Sequence, residues 1–176
     1  MIKLQTPLTD AVIKSLKAGD EVEITGVVYT ARDVAHKRLC QLIDAGDDLP
    51  VDLAGQVIYF VGPTPARDGA AIGAAGPTTS SRMDGFSPKL IKAGLKGMIG
   101  KGYRGTEVRD ALKEYGAIHF ATIGGAGALL SKHITAAEIV AYDDLGTEAI
   151  RKLEVLDFPA VVAYDSHGQS VYADDK

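Results

Sequence analysis

The sequence is poor in cysteine and tryptophan: its 176 residues include one cysteine, Cys40, and no tryptophan. A single cysteine excludes an internal disulfide, and it excludes a cysteine cluster within the chain that could hold zinc or iron. No apolar run approaches the roughly 20 residues that span a bilayer, and the first residues lack the long apolar segment of a signal peptide. We therefore expect a cytoplasmic protein that has no membrane partner and contributes no metal ligands.

Positive charge does not predominate either. The formal net charge is −4 and no basic stripe runs through the sequence, which argues against nucleic acid as a partner. The composition, 46% apolar and 24% charged, is ordinary for a globular protein. The length predicts one domain over residues 1–176, with a loose C-terminal end from about residue 173.

Short apolar runs alternate with amphipathic segments along the chain. The apolar runs predict strands over residues 22–28 (with a bulge at Gly26), 57–61, 97–102, 117–123, 139–142 and 158–164. The amphipathic segments predict helices within residues 6–20, from about 32 to 46, over 86–93, 107–115 (capped by Thr106) and 147–153, and after Gly127. Residues 166–169 are typical of a hairpin-like turn. The alternation indicates an α/β layered domain.

One polar stretch, residues 76–84, reads Gly-Pro-Thr-Thr-Ser-Ser-Arg-Met-Asp. Its glycine and proline restrict the backbone to a tight path. Its hydroxyls and backbone N–H groups offer donors to an anion, and Arg82 adds a planar fork that suits a carboxylate or phosphate. The same pattern is also typical of a polar loop that caps a helix.

Other motifs fail a simple chemical test. Lys101 is followed by Gly102, whereas a phosphate-binding P-loop needs Ser or Thr there to reach magnesium. Residues 125–127 lack the third glycine of a dinucleotide fingerprint, and Ser80 lies outside any Gly-x-Ser-x-Gly elbow. The histidines lack metal-ligand spacing, and His119 falls inside a predicted strand, which favours a hydrogen-bonded core residue.

Three cations, Arg32, Arg82 and Lys101, follow predicted strands, where α/β sheets usually bind ligands. Together with the hydroxyl cluster they would suit a small dianion such as a dicarboxylate. The alternative is three surface cations beside carboxylates, with Arg32 next to Asp33 and Arg82 near Asp84. For any one cation taken alone, this second interpretation is favoured.

Several motifs resemble the C-terminal region of class I, iron–sulfur fumarate hydratases in order and spacing. In two-subunit members of that family this region is a separate β subunit, and tartrate dehydratase β subunits are similar. The resemblance covers nearly the whole chain, and the Gly-Pro-Thr-Thr-x-x-Arg-Met-Asp segment is its most specific part. The matching segments are residues 30–36, 62–63, 76–84, 100–102, 124–126, 146–150 and 157–159.

The resemblance implies a swivelling β/β/α domain and a hydro-lyase that interconverts fumarate and L-malate. It implies a cysteine-rich α subunit that binds a [4Fe–4S] cluster, so that Cys40 is a buried helix residue and the assembly is an α/β hetero-oligomer. It also implies the roles of individual residues: Thr78 handles the proton at the carbon next to a carboxylate, and three cations clamp the substrate carboxylates (Arg32, Arg82 and Lys101). The resemblance also suggests that three further residues contact these substrate-binding side chains without touching the substrate: His36, Thr79 and Asp84.

Thr78 alone is a poor base because its hydroxyl has a very high pKa, so neighbouring cations or a partner carboxylate must assist it. Two other functions stay open from the sequence. The chain could be the β subunit of an L-tartrate dehydratase, which converts tartrate to oxaloacetate. It could also be a non-catalytic domain that binds a dicarboxylate.

Overall fold

The computed structural model describes residues 1–66, 68–123 and 127–172, and within them the chain forms seven strands and five α-helices. Short 3₁₀ helices lie at Ser80–Met83, Ser131–His133 and Asp143–Glu148. In chain order the main elements are β1 (Ile2–Gln5), α1 (Asp10–Ser15), β2 (Glu21–Thr30), α2 (Asp33–Ala45), β3 (Val57–Tyr59), α3 (Ser87–Lys92), β4 (Gly97–Gly100), α4 (Thr106–Tyr115), β5 (Ile118–Thr122), α5 (Gly127–Leu130), β6 (Ile134–Ala141) and β7 (Ile150–Tyr164).

The strands form one sheet in the order β1-β2-β3-β4-β5-β7-β6, and β2 pairs with β7 as well. Strands β1 to β5 run parallel to one another, whereas β7 is antiparallel to β2, β5 and β6. The β2–β7 pairing therefore joins β2, β3, β4, β5 and β7 into a closed ring. The result is a mixed α/β domain with a barrel-like sheet.

Two apolar clusters lie on opposite faces of the ring strands, because successive side chains of a strand point to opposite sides. Tyr59 and Phe120 belong to the cluster inside the ring, together with buried residues of β2 and β7. Phe60 and Met98 belong to the outer cluster, where α2, α3 and α4 pack. The helices thus cover the outside of β3, β4 and β5, and the loops at the strand ends are left to form a site.

Most of the predicted elements are present with shifted ends. The bulge at Gly26 is confirmed, since the β2–β7 register shifts between Ile24 and Gly26. Helix α4 begins at Thr106 with Gly105 as its N-cap, so the expectation that Thr106 would be the cap is wrong by one residue. The turn over 166–169 is confirmed by an antiparallel bridge between Tyr164 and Ser170. No helix within the described ranges has the length and apolarity needed to cross a bilayer.

The helix predicted over residues 147–153 is wrong. Residues 143–148 form a 3₁₀ helix, and Ile150 begins the 15-residue strand β7. The segment contains good helix formers, but β7 gains backbone partners on both edges and buries Ile150, Leu153 and Val155. Tertiary pairing overrides local propensity here. Residues 124–126 and the end expected to be loose from residue 173 lie outside the described residues.

Candidate functional site

The site lies at the carboxyl ends of three neighbouring strands. Strands β2, β3 and β4 are parallel and adjacent, so their carboxyl ends meet at one edge of the ring. Arg32 follows β2 by two residues, and Lys101 follows β4 directly. The N–H of Thr78 donates to the carbonyl of Phe60, next to the end of β3, over 2.7 Å.

Thr78 and Lys101 are joined through their backbones. The N–H of Lys101 donates to the carbonyl of Thr78 over 3.4 Å, and the N–H of Ser80 donates to the carbonyl of Lys101 over 2.7 Å. Thr79 consequently forms a parallel bridge with Lys101, and its own side chain is exposed. The Lys101 side chain is exposed as well and forms no ion pair with the described residues.

Arg32 precedes α2 as its N-cap residue and packs over Gly62. A β-carbon at Gly62 would lie 2.8 Å from Nη1 and 2.9 Å from Cδ of Arg32, so a side chain at this position would displace the guanidinium. The Nε of Arg32 is buried, and no described residue accepts a hydrogen bond from it. A buried donor without an acceptor is unfavourable by about 1–3 kcal/mol, and an anion would supply the missing acceptor.

Arg82 lies in the 3₁₀ helix after Thr78, and its guanidinium pairs with Asp33, the first residue of α2. Its Nε is 3.1 Å from Asp33 Oδ2, and Nη2 donates to the same oxygen. The other oxygen, Asp33 Oδ1, is buried and receives no hydrogen bond from the described residues. This pair places Arg82 beside the start of α2, where Arg32 also lies.

His36 lies behind Arg32 in the first turns of α2. Its Nδ1 donates to the carbonyl of Arg32 over 2.8 Å, and its ring packs edge-on against Phe60 at 5.2 Å between centroids. Burial lowers the pKa of His36 from its ordinary value of 6.5 to about 4, so the imidazole is neutral near pH 7. His36 therefore fixes the Arg32 backbone and does not add a charge.

Asp84 is bonded to a residue that the sequence patterns did not single out. Its Oδ1 accepts from Arg104 Nε over 2.8 Å and its Oδ2 accepts from the N–H of Gly105 over 2.8 Å. The interpretation that Asp84 neutralises Arg82 is therefore wrong, because Arg82 pairs with Asp33. Arg104 is buried, and that burial lowers the pKa of its guanidinium while Asp84 opposes the shift. No local sequence signal could have revealed a pair formed across 20 residues.

The described residues do not include any group of three or more His, Cys, Asp or Glu side chains that could hold a metal ion. Cys40 is buried and its thiol donates to the carbonyl of Phe86. This part of the chain therefore does not fit an iron–sulfur cluster as its ligand set. The basic side chains around the Thr78 backbone are Arg32, which is half-buried, and Arg82 and Lys101, which are exposed.

Comparison with known proteins identifies the family to which the sequence is similar. Residues 1–175 match a family model described as the fumarase C-terminus. The chain is 37% identical over 175 residues to the Escherichia coli protein named fumarate hydratase class I, anaerobic, covering 97% of the chain and 32% of that protein. A Geobacillus stearothermophilus protein, provisionally named fumarate hydratase class I, is 42% identical over 179 residues, covering 99% of the chain and 34% of its own length.

A third relative matches over nearly its whole length. A Methanocaldococcus jannaschii protein, provisionally named L(+)-tartrate dehydratase subunit beta, is 38% identical over 171 residues, covering 94% of the chain and 88% of the relative. The chain thus spans about a third of the two fumarate hydratases. Since the family model covers almost the entire sequence, the chain belongs to the fumarase C-terminus family.

Proposed function

We propose that this chain is the β subunit of a class I fumarate hydratase, which hydrates fumarate reversibly to L-malate at a site completed by a partner α subunit. The observation that carries the proposal is the gathering of Arg32, Thr78 and Lys101 at the carboxyl ends of three adjacent parallel strands. The closed strand ring with helices outside supports the swivelling β/β/α form of this family's domain.

The cations suit a four-carbon dicarboxylate. Arg32 supplies a buried Nε that the described residues leave without an acceptor, and a substrate carboxylate would be a charge-assisted acceptor. Arg82 is held by Asp33 at an exposed position, so its fork could turn from that carboxylate to the substrate's. Lys101 would add a third positive charge beside Thr78 and stabilise the negative charge that develops as the proton leaves.

Thr78 is the proposed proton-transfer residue at the carbon next to a carboxylate. Within the described ranges no hydrogen bond joins its hydroxyl to a side chain that could act as its base, which supports a base supplied by the partner. The Lys101 backbone and the 3₁₀ helix that carries Arg82 hold it in place. A carboxylate from the partner, together with these cations, would make proton transfer by the hydroxyl feasible.

The proposed partner is a cysteine-rich α subunit that binds a [4Fe–4S] cluster. Two observations support it: the chain spans only about a third of the fumarate hydratases it resembles, and its described residues offer no metal-ligand group. When bound by the partner, such a cluster supplies a Lewis acid for the substrate hydroxyl. The residues of this chain bind and orient the carboxylates and handle the proton.

Reconstitution tests this proposal directly. The chain alone and the chain with its α subunit are prepared anaerobically, and fumarate absorbance is followed. We expect turnover only in the complex, and full activity of the lone chain would contradict a shared site. In the complex, Thr78→Ala should lower kcat by about 10²–10⁴-fold with little change in KM, because proton transfer is lost while the cations remain. Ser81→Ala is the matched control, since it removes an exposed hydroxyl three residues away.

A tartrate dehydratase β subunit is the second candidate, because the M. jannaschii relative matches over 88% of its length. Comparing kcat/KM of the complex for L-malate and L-tartrate decides between the two substrates. A complex that binds a dicarboxylate by calorimetry but turns over neither substrate would point to a non-catalytic binding domain.

A further inference from the structure

A buried arginine lies behind the segment that carries Thr78 and Arg82. The side chain of Arg104 is 0% exposed. Its Nε donates to Asp84 over 2.8 Å, and its Nη2 donates to Ser87 Oγ over 2.5 Å. Its Nη1 lies 3.2 Å from His119 Nδ1. Each of the three guanidinium nitrogens thus has a hydrogen-bond acceptor.

The arginine determines the protonation of His119. A guanidinium only donates, so His119 Nδ1 must be the acceptor and its Nε2 must carry the hydrogen. Burial and the nearby Arg104 charge both lower the pKa of His119, which keeps the ring neutral. Its Nε2–H then donates to Ser80 Oγ over 3.0 Å. Arg104 therefore donates a hydrogen bond to His119, and His119 in turn donates one to Ser80.

Ser80 lies between Thr78 and Arg82 and is fully buried. Its N–H is bonded to the carbonyl of Lys101, and its hydroxyl reaches the core past Gly100, where a β-carbon would collide with it. Asp84, at the end of the same segment, is bonded directly to Arg104. Residues 78–84 are consequently attached to one buried cation at two points.

We propose that Arg104 and His119 are positioning residues, which hold residues 78–84 so that Thr78 and Arg82 face the same substrate; this rests on the proposed function. Neither residue touches the substrate. Burying a charge away from water is unfavourable unless it is paired, and a guanidinium whose three nitrogens all have acceptors favours one arrangement of the groups that it contacts. Both attachments of the network lead to the segment that bears the proposed reacting groups.

The activity test uses Ser80→Ala and His119→Phe in the reconstituted complex. Ser80→Ala should lower kcat for fumarate at least tenfold because Thr78 loses its position. KM should rise by less than the roughly tenfold expected when Arg82 is removed, because Arg82 is displaced but present and Arg32 and Lys101 keep their positions. His119→Phe should give a similar loss, and the double variant should be no worse than either single variant, because the two residues act through one contact. Thr25→Val is the matched control: it removes a hydroxyl bonded to the Asp157 N–H and should keep wild-type kcat.

A second readout does not depend on catalysis. Hydrogen exchange of residues 76–84, followed by mass spectrometry on the chain, should accelerate at least tenfold in Ser80→Ala and His119→Phe and stay unchanged in Thr25→Val. Unchanged exchange in both network variants would overturn the positioning role, as would wild-type kcat in both. If the wild-type complex neither hydrates fumarate nor dehydrates tartrate, the proposed function fails, and the exchange result alone then decides whether the network holds the segment.

Discussion

Two arginine–aspartate pairs each include one residue of the segment 78–84, and the two pairs differ in exposure. Arg82 and Asp33 have 48% and 34% of their side-chain surface exposed, whereas Arg104 and Asp84 have 0% and 28%. An exposed pair contributes about 0–1 kcal/mol, so its arginine can change partners easily. A buried arginine with several acceptors has a single arrangement. The outer pair is therefore suited to ligand exchange, and the inner pair is suited to setting the shape of the site.

Removing the inner arginine should have the largest effect on stability. Arg104→Met leaves Asp84 without its cation and His119 without its donor, so we expect the free energy of unfolding to fall by about 3–5 kcal/mol. Urea denaturation followed by circular dichroism measures it. Arg82→Met is the matched control and should change the same quantity by less than about 1 kcal/mol. Equal losses in the two variants would remove the distinction between the pairs.

Mild acid should have the next largest effect on the free energy of unfolding, through the neutral buried histidines His36 and His119. The pKa of His36 is about 4 in the folded chain and 6.5 ordinarily, so the unfolded chain binds more protons between these values. Its contribution is complete above pH 6.5 and is lost as the pH falls toward 4, a loss of about 2 kcal/mol at pH 5. His119, whose pKa is also lowered, acts in the same direction.

The measurement is urea unfolding at pH 7 and pH 5. In His36→Leu the difference in unfolding free energy between the two pH values should shrink by the roughly 2 kcal/mol that His36 contributes to it. Lys132→Leu, a charge-to-leucine change at a surface residue of a 3₁₀ helix, serves as the control and should keep the wild-type difference. A His36→Leu variant with the wild-type pH dependence would show that this imidazole does not titrate as its burial implies.

Changing the outer arginine should affect ligand binding more than stability. Arg82→Gln removes the guanidinium that would bind a substrate carboxylate. We expect the KM for fumarate in the complex to rise about tenfold, equivalent to about 1.4 kcal/mol. Initial rates over a range of fumarate concentrations measure this. An unchanged KM would exclude Arg82 from substrate binding.

Freeing the outer arginine should have the smallest effect. Asp33→Asn removes the carboxylate that competes for Arg82, so KM should stay the same or fall by up to about threefold, while stability falls by less than about 1 kcal/mol. Fumarate kinetics and urea unfolding measure the two quantities. A tenfold rise in KM would instead indicate that Asp33 orients Arg82 for the substrate.

The strands around the site could be predicted because their signals are local. The apolar runs over 57–61 and 97–102 and the glycines that end them predicted β3 and β4, and the position of Lys101 directly after β4 followed. Thr78 was assigned from the family resemblance. Strand β7 could not be predicted in full, since its pairing with β2 and β6 outweighs the helical tendency of residues 148–153. Periodicity describes a segment by itself and carries no information about its partners.

The same limit applies to the charges. The sequence suggested that Arg82 and Asp84 would pair because they are neighbours, whereas the fold pairs each with a distant residue. Arg104 was missed since nothing near it in sequence marks it as buried. His119, expected in a strand as a hydrogen-bonded core residue, is buried and bonded on both ring nitrogens.

The pairing of β7 with β2 has a consequence for how the chain folds. The N–H of Arg151 donates to the hydroxyl of Thr30, which lies two residues before Arg32. The two partners are 121 residues apart in sequence. Contacts so distant in sequence are slow to form, because a long loop must close before they stabilise anything. The roughly 120 residues between these two partners must therefore be synthesised before the end of β2 acquires its β7 neighbour, and Arg32 reaches its final surroundings only after β7 has been made.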